Sequence, residues 1–257
     1  MRMMPIASSS SGNCIVISDG KTNILIDCGI SGKAAKAGLD AIGVDPASVG
    51  AILVTHEHSD HTKGVGIFSR KYKVPVYANA RTWSAMGYSL GPLAAEHTCF
   101  FVNGESFRIG GIEIAAFSIP HDAADPVGFN LWDEKGTKFT HATDIGHMDE
   151  QLAWYLKGSE AVILESNHDI EMLKNGPYHY LLKKRILSDR GHLSNVSAAC
   201  LAYELAATGT KRITLAHLSC ENNTPEVARR TTTEYLEQNG VRVGEDIELV
   251  VAPKLIG

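Results

Sequence analysis

Thr55-His56-Glu57-His58-Ser59-Asp60-His61 decides the reading of this chain: three histidines and an aspartate fall within six consecutive positions. The stretch follows Ala51-Ile52-Leu53-Val54, an apolar run that reads as a buried strand, and leads into the turn Lys63-Gly64-Val65-Gly66. Imidazole nitrogens and a carboxylate oxygen suit zinc, manganese or iron. A loop leaving the end of a strand can aim all four side chains at one point, and the H-x-H-x-D-H spacing is dense enough to read as a metal motif rather than a solvated histidine-rich loop.

Outward from the motif, the first half of the chain reads as strands. Cys14-Ile15-Val16-Ile17 and Asn23-Ile24-Leu25-Ile26 flank Asp19-Gly20, a hairpin turn pair. A helix fits about 33–42 and a short one 64–72. Strands fit 106–109, 112–118, 127–132 and 137–142, with Glu134-Lys135-Gly136 turning the last pair. In the second half, Ala161-Val162-Ile163-Leu164 is a buried strand ending at Glu165, and Ile213-Thr214-Leu215-Ala216 is another. A helix runs from Val196 toward Ala207 with Gly209 as its stop. Thr224-Pro225-Glu226 is an N-cap, a first-turn proline and a first-turn acid, opening a helix that ends at Gly240. Ile247-Glu248-Leu249-Val250-Val251 fits a last strand. No linker or repeat interrupts the chain, so 1–257 is expected to be a single domain. Strands followed by helices, twice over, predict an α/β fold of two mixed β-sheets packed face to face, with helices on both outer faces.

Bulk properties narrow the class. The chain has 257 residues, 44% hydrophobic and 21% charged, as in ordinary globular proteins. A formal charge of -5 does not suggest a wholesale nucleic-acid coat. Five cysteines, Cys14, Cys28, Cys99, Cys200 and Cys220, are odd in number and widely spaced, which reads as reduced thiols and a cytoplasmic setting. No signal peptide or membrane-spanning run is evident, so no membrane partner is expected.

Further ligand types sit just past apolar strands: His121 after Ile114-Ala115-Ala116-Phe117-Ser118-Ile119-Pro120, Asp144 after Lys138–Thr143, and His217 after Ile213–Ala216. Taken in order, His56, His58, Asp60, His61, His121, Asp144 and His217 resemble the metallo-β-lactamase superfamily, and the resemblance covers essentially the whole chain. It implies an αββα sandwich with a two-metal centre at the sheet edge. His56, His58 and His121 would hold the first metal, Asp60, His61 and His217 the second, with Asp144 bridging. Asp27, closing the strand Ile24-Leu25-Ile26, matches the family's early aspartate and would accept an N–H from a ligand imidazole or a nearby backbone. Two divalent ions against Asp60 and Asp144 leave the centre positive, so it attracts an anion and stabilises a developing one. A hydroxide held between the metals makes hydrolysis the natural reaction class. Zinc suits this shell, and manganese or iron would fit it too.

Asp144 as the bridge resembles the dinuclear hydrolases; in some true lactamases a cysteine takes that place. Two more segments sharpen the class. Ser8-Ser9-Ser10-Ser11-Gly12-Asn13 is a hydroxyl-rich loop, and Arg190-Gly191-His192-Leu193-Ser194-Asn195 opens a helix, a ready phosphate site. The combination resembles the phosphodiesterase branch related to ribonucleases Z and J, and within it the YycJ/WalJ-like group of exonuclease-type hydrolases. By that resemblance Asp60 and His192 would be catalytic, His192 giving a proton to the leaving oxygen or clamping the scissile phosphate. Ser11, Asn13, Ser194 and Asn195 would bind phosphate. The partner would be DNA, RNA or another phosphodiester. Only 72 residues (145–216) separate Asp144 from His217, too few for a large cap domain, so an open site is expected. That openness keeps a second reading alive: a hydrolase of small cyclic or nucleotide phosphodiesters, thioesters or lactones. Lys183-Lys184-Arg185 and Arg190, with Tyr178 and Tyr180 nearby, would either track a nucleic-acid backbone or form an ordinary solvated helix face. Glu165 is placed to support His192 or a ligand. His97, His141, His147, His168 and His179 lack partners at ligand spacing and read as surface or packing residues, with lining of the substrate groove as the alternative for His168 and His179.

Overall fold

The computed structural model describes residues 1–256, which form two compact units. The first comprises Met1–Ser118, Ala123–Gly136 and the C-terminal residues from Pro253. Its elements are β1 (Arg2–Ala7), β2 (Cys14–Ser18), β3 (Asn23–Ile26), α1 (Gly32–Ala41), β4 (Val49–Leu53), α2 (Ser59–Thr62), α3 (Val65–Tyr72), β5 (Val76–Ala78), α4 (Ala80–Met86), β6 (Thr98–Phe100), β7 (Ser106–Ile109), β8 (Ile112–Ser118) and β9 (Val127–Trp132). Strands β1 to β6 form one sheet in sequence order; β1·β2 and β2·β3 are antiparallel, and the pairs from β3 to β6 are parallel. β7, β8 and β9 pair as an antiparallel meander.

Local chemistry accounts for these elements. The β2–β3 hairpin turns where Asp19 Oδ1 accepts from the Lys21 and Thr22 amides (2.8 and 2.6 Å) and Gly20 takes φ 95°. Helix α1 starts at Ser31, whose hydroxyl accepts from the Ala34 amide. Ile6, Val16, Leu25, Leu39, Ile52, Val54, Phe68 and Val76 meet in one buried cluster. Strand β1 was not expected, because Arg2 and Pro5 interrupt its apolar alternation; it lies at the sheet edge, where proline is tolerated. The strands β5 and β6, at three residues each, are too short to display a period.

The second unit comprises Ile119–Asp122 and Thr137–Ala252. It holds β10 (Lys138–Ala142), α5 (Glu150–Leu156), β11 (Ala161–Glu165), α6 (Ile170–Asn175), α7 (Tyr180–Ile186), α8 (Asn195–Ala207), β12 (Arg212–Ala216), α9 (Pro225–Gln238) and β13 (Glu248–Val251). The four strands are parallel in that order, with Leu164 opposite Leu215 and Glu165 opposite Ala216. Parallel strands end on the same side, so residues just past β10, β11 and β12 gather at one edge. Thr224 caps α9 through the Val227 amide, with Pro225 in the first turn as its sequence requires. The helices α5, α6 and α7 escaped the sequence reading because six or seven residues give fewer than two turns of periodicity.

Candidate metal centre

In the first unit β4 hands the chain straight to the motif. Thr55 and Asp27 sit side by side: the Thr55 amide and hydroxyl donate to the two Asp27 carboxylate oxygens, both at 2.9 Å. Asp27 is fully buried and left-handed (φ 59°), which turns its carboxylate from the end of β3 toward the motif. Its Oδ2 also accepts from His61 Nδ1 at 2.8 Å, and Thr55 Oγ1 lies 3.0 Å from His56 Nδ1. With its hydrogen directed to Asp27, the Thr55 oxygen accepts from His56. Both imidazoles therefore carry hydrogen on Nδ1 and a lone pair on Nε2, the form that binds metal. The rings are bunched: His56 lies 4.6 Å from His58 and 4.2 Å from His61, centroid to centroid, and Asp60 Oδ2 is 3.4 Å from His61 Nε2. Gly29 permits this closeness, since a Cβ there would fall 1.6 Å from the Asp60 carbonyl.

In the second unit the strand ends do the same work. Asp144 (φ 63°) follows β10 and His217 (φ 57°) follows β12, both left-handed and both buried. Asp144 Oδ1 lies 3.8 Å from His121 Nε2, 3.8 Å from His192 Nδ1 and 3.4 Å from His217 Nε2. Glu165, at the end of β11, is the common support. Its Oε1 accepts from His192 Nδ1 (2.8 Å) and His217 Nδ1 (3.0 Å), and its Oε2 from the Ile145 and Leu193 amides (2.8 and 3.0 Å). His121 gives its Nδ1 hydrogen to the Gly191 carbonyl at 3.0 Å. His121 and His217 therefore also present Nε2 lone pairs. Burial alone would push the Glu165 carboxyl up, but the imidazoles of His192 and His217 outweigh it and hold it at about 2. Burial lowers His121, so its ring is neutral, as a ligand must be.

This donor set suits divalent metals. Imidazoles with Nδ1 fixed by a carboxylate, hydroxyl or carbonyl, beside short aspartates, are the ligands expected of such a site. Among the phosphate-binding candidates, Ser194 is the cap of α8, its hydroxyl accepting from the Ser197 amide, and Ser11 is exposed with its hydroxyl 2.8 Å from that of Ser9. Asn13 and Asn195 are turned inward. The Asn13 amide donates to the Ser9 and Asp60 carbonyls and lies 3.2 Å from His61 Nε2, ordering the serine loop against the motif. Asn195 is bonded to Ser166 and Asn223. The basic group is tied down in part: Arg185 pairs with Asp122, Lys183 donates to the Lys174 carbonyl at 2.7 Å, and Arg190 donates to the His121 carbonyl at 3.2 Å.

His168 is buried at the β11 end beside this cluster, in keeping with a packing role rather than a surface one. The signal was present: Glu165-Ser166-Asn167-His168 follows a buried strand, just as Asp144 and His217 do. Burial pushes the His168 imidazole down to about 4, from an ordinary 6.5. Above 6.5 the ring is neutral folded and unfolded; between 6.5 and 4 only the unfolded chain takes the proton, so stability falls as pH falls. The full effect is roughly 3 kcal/mol. Thermal midpoints measured from pH 7 to pH 4 should fall more steeply for the natural chain than for His168→Gln; parallel curves would refute this.

Comparison with known proteins follows from these features. Residues 22–218 match the model of the β-lactamase superfamily domain. Exodeoxyribonuclease YycJ of Bacillus anthracis is 41% identical over 244 residues, covering 95% of this chain and 92% of that one. Exodeoxyribonuclease WalJ of Streptococcus pneumoniae is 40% identical over 247 residues, covering 95% and 91%. The crystal structure of the metallo-β-lactamase fold protein YhfI from Bacillus subtilis superposes with a TM-score of 0.74 at 14% identity, over 99% of this chain and 97% of that one, so the expected α/β fold with two mixed sheets is the one present. The chain therefore belongs to the metallo-β-lactamase superfamily of metal-dependent hydrolases, in the group that contains YycJ and WalJ.

Proposed function

We propose that this protein is a two-metal exonuclease that hydrolyses the phosphodiester bonds of DNA, and that residues 1–257 form a single hydrolase domain without a cap. The observation that carries the reading is the near full-length identity of about two residues in five to two exodeoxyribonucleases, over the span that holds every ligand-type residue described above. His56, His58 and His121 would hold one metal, Asp60, His61 and His217 the other, with Asp144 shared between them. When bound, the metals supply positive charge to the scissile phosphate and a nucleophilic water at neutral pH. The chain itself supplies the proton for departure. His192 gives its Nδ1 hydrogen to ionised Glu165, so the carboxylate orients the ring and leaves Nε2 to deliver a proton to the leaving oxygen. Ser194, the cap of α8, would steady a phosphate beside His192. Among the described residues no disulfide is formed and no helix is long and apolar enough to cross a membrane; we place the enzyme in the cytoplasm.

The test is cleavage of single- and double-stranded DNA and RNA, labelled at the 5′ or the 3′ end, by protein reconstituted with zinc or manganese. Mononucleotides should appear from DNA and vanish in the His58→Ala variant, with polarity read from the labelled end. Metal-loaded protein that leaves every oligonucleotide intact while cleaving a small phosphodiester or thioester would overturn the nuclease reading and leave the hydrolase fold standing.

A further inference from the structure

Within the second unit His192 and Ser194 border a cavity of about 480 Å³, larger than the phosphate chemistry proposed above needs. Met148, Ile170 and Leu187 give it apolar sides, and His168, His192 and Ser197 give it a polar one. Pockets of a few hundred cubic ångströms with mostly apolar walls and few polar groups are built for small organic ligands. A phosphate alone would need neither the volume nor those walls.

His168 says what kind of polar group the cavity takes. The residue is 1% exposed, and its Nε2 is buried without a hydrogen-bond partner among the described residues. A buried polar atom left in that state is unfavourable, so a ligand that satisfies it is rewarded. The direction of the missing bond is fixed by its neighbours. Asn167 Nδ2 donates to the His217 carbonyl at 2.9 Å, so the Asn167 amide presents Oδ1 to His168 Nδ1, 3.3 Å away. Nδ1 therefore carries the hydrogen, and Nε2 is an acceptor that needs an N–H or O–H. An ionised phosphate cannot supply one. A nucleobase can, and each of the four DNA bases carries at least one N–H on its edge, with flat apolar faces suited to Met148, Ile170 and Leu187.

We propose that this cavity binds the base of the terminal nucleotide of the strand, with His168 Nε2 accepting from the base edge while the adjoining phosphodiester lies at His192. The proposal rests on the nuclease reading and deepens it: a pocket that receives one terminal base positions the first phosphodiester and favours action at chain ends. Because every base offers a donor, the pocket would order the end without selecting a sequence.

Two measurements test it. The first is binding of dAMP and dCMP, against 2-deoxyribose 5-phosphate, to the full chain by calorimetry. The second is cleavage of an oligonucleotide whose terminal nucleotide lacks its base. Leu187→Trp fills the cavity from a side chain that is half exposed, so packing is undisturbed, and His168→Phe removes the acceptor. The expected result is base-dependent mononucleotide binding, weakened about tenfold or more in both variants, and a KM for the intact strand raised about tenfold with kcat little changed in Leu187→Trp. The baseless end should cost the natural enzyme about the same, and cost Leu187→Trp nothing further. Equal kcat/KM on intact and baseless ends, or dAMP binding unchanged in Leu187→Trp, would overturn the proposal while leaving the nuclease standing. Base-dependent dAMP binding without cleavage of any strand would support the pocket and sink the nuclease reading.

Discussion

Asp144→Ala should remove metal and turnover together, with kcat lower by about a thousandfold or more. Asp144 is the point on which the second unit's histidines converge: Oδ1 lies within 3.8 Å of His121, His192 and His217. Taking away this carboxylate removes the anion that lies within 3.8 Å of all three rings. Glu165 does not replace it, because its oxygens are already bonded to Nδ1 of His192 and His217 and to two backbone amides. A cation loses a charged ligand, so affinity falls along with rate. The backbone adds to the loss, because Asp144 is left-handed at φ 63° and aspartate adopts that conformation more readily than alanine. Asp144→Asn separates the two effects: it keeps the shape and the turn propensity and removes the charge. Metal content by elemental analysis and the rate of nucleotide release are the measurements, with far-ultraviolet circular dichroism as the check on folding. A folded Asp144→Ala protein that keeps its full metal content and a rate within tenfold of the natural chain would remove Asp144 from the centre.

Glu165→Gln should be almost as damaging, and in stability more so. Glu165 is wholly buried and accepts four hydrogen bonds, two from imidazoles through Oε1 and two from backbone amides through Oε2. A glutamine has one acceptor oxygen and one donor amide. Whichever way it is turned, its NH2 faces two N–H groups that need an acceptor. Breaking a buried charged network in this way costs about 3–5 kcal/mol. The rate should fall by about 10²–10⁴, since His192 loses the carboxylate that orients it. The pH dependence carries the same signature. The carboxyl is held at about 2 when folded, below its ordinary 4.5, so its contribution is fully present above 4.5 and is lost as pH falls toward 2. Urea unfolding at pH 7 and at points down to pH 3 should show the natural chain weakening with acid and Glu165→Gln weak throughout. A variant as stable as the natural chain at pH 7, with unchanged nucleotide release, would refute the role.

Strands that carried a period of two or a continuous apolar run were legible to within a residue: 106–109, 112–118 and 127–132 match β7, β8 and β9, and the Thr224-Pro225-Glu226 start matches α9. What was missed is short or interrupted. Pro5 hides β1, three residues cannot show alternation in β5 or β6, and α7 presents a mixed surface in which Tyr180 and Leu181 are exposed. The site was legible to the same degree as its residues are local. Four ligand-type residues in one short loop announce themselves, and His121, Asp144 and His217 could be picked out because each follows an apolar strand. Asn13 and Asn195 show the converse: residue type and neighbourhood suggested phosphate, but side-chain direction turned both into internal supports.

By itself the sequence determined which atoms are available for chemistry, the hairpin, the capped helices and the strand ends on which ligands sit, because these depend on residues a few positions apart. Only the tertiary structure decided the protonation geometry. Asp27 reaches His61 from 34 positions away, and Glu165 reaches His192 and His217 from 27 and 52. Those separations leave no mark in composition or period. They arise because parallel strands end side by side, and because burial there makes each N–H find its one acceptor.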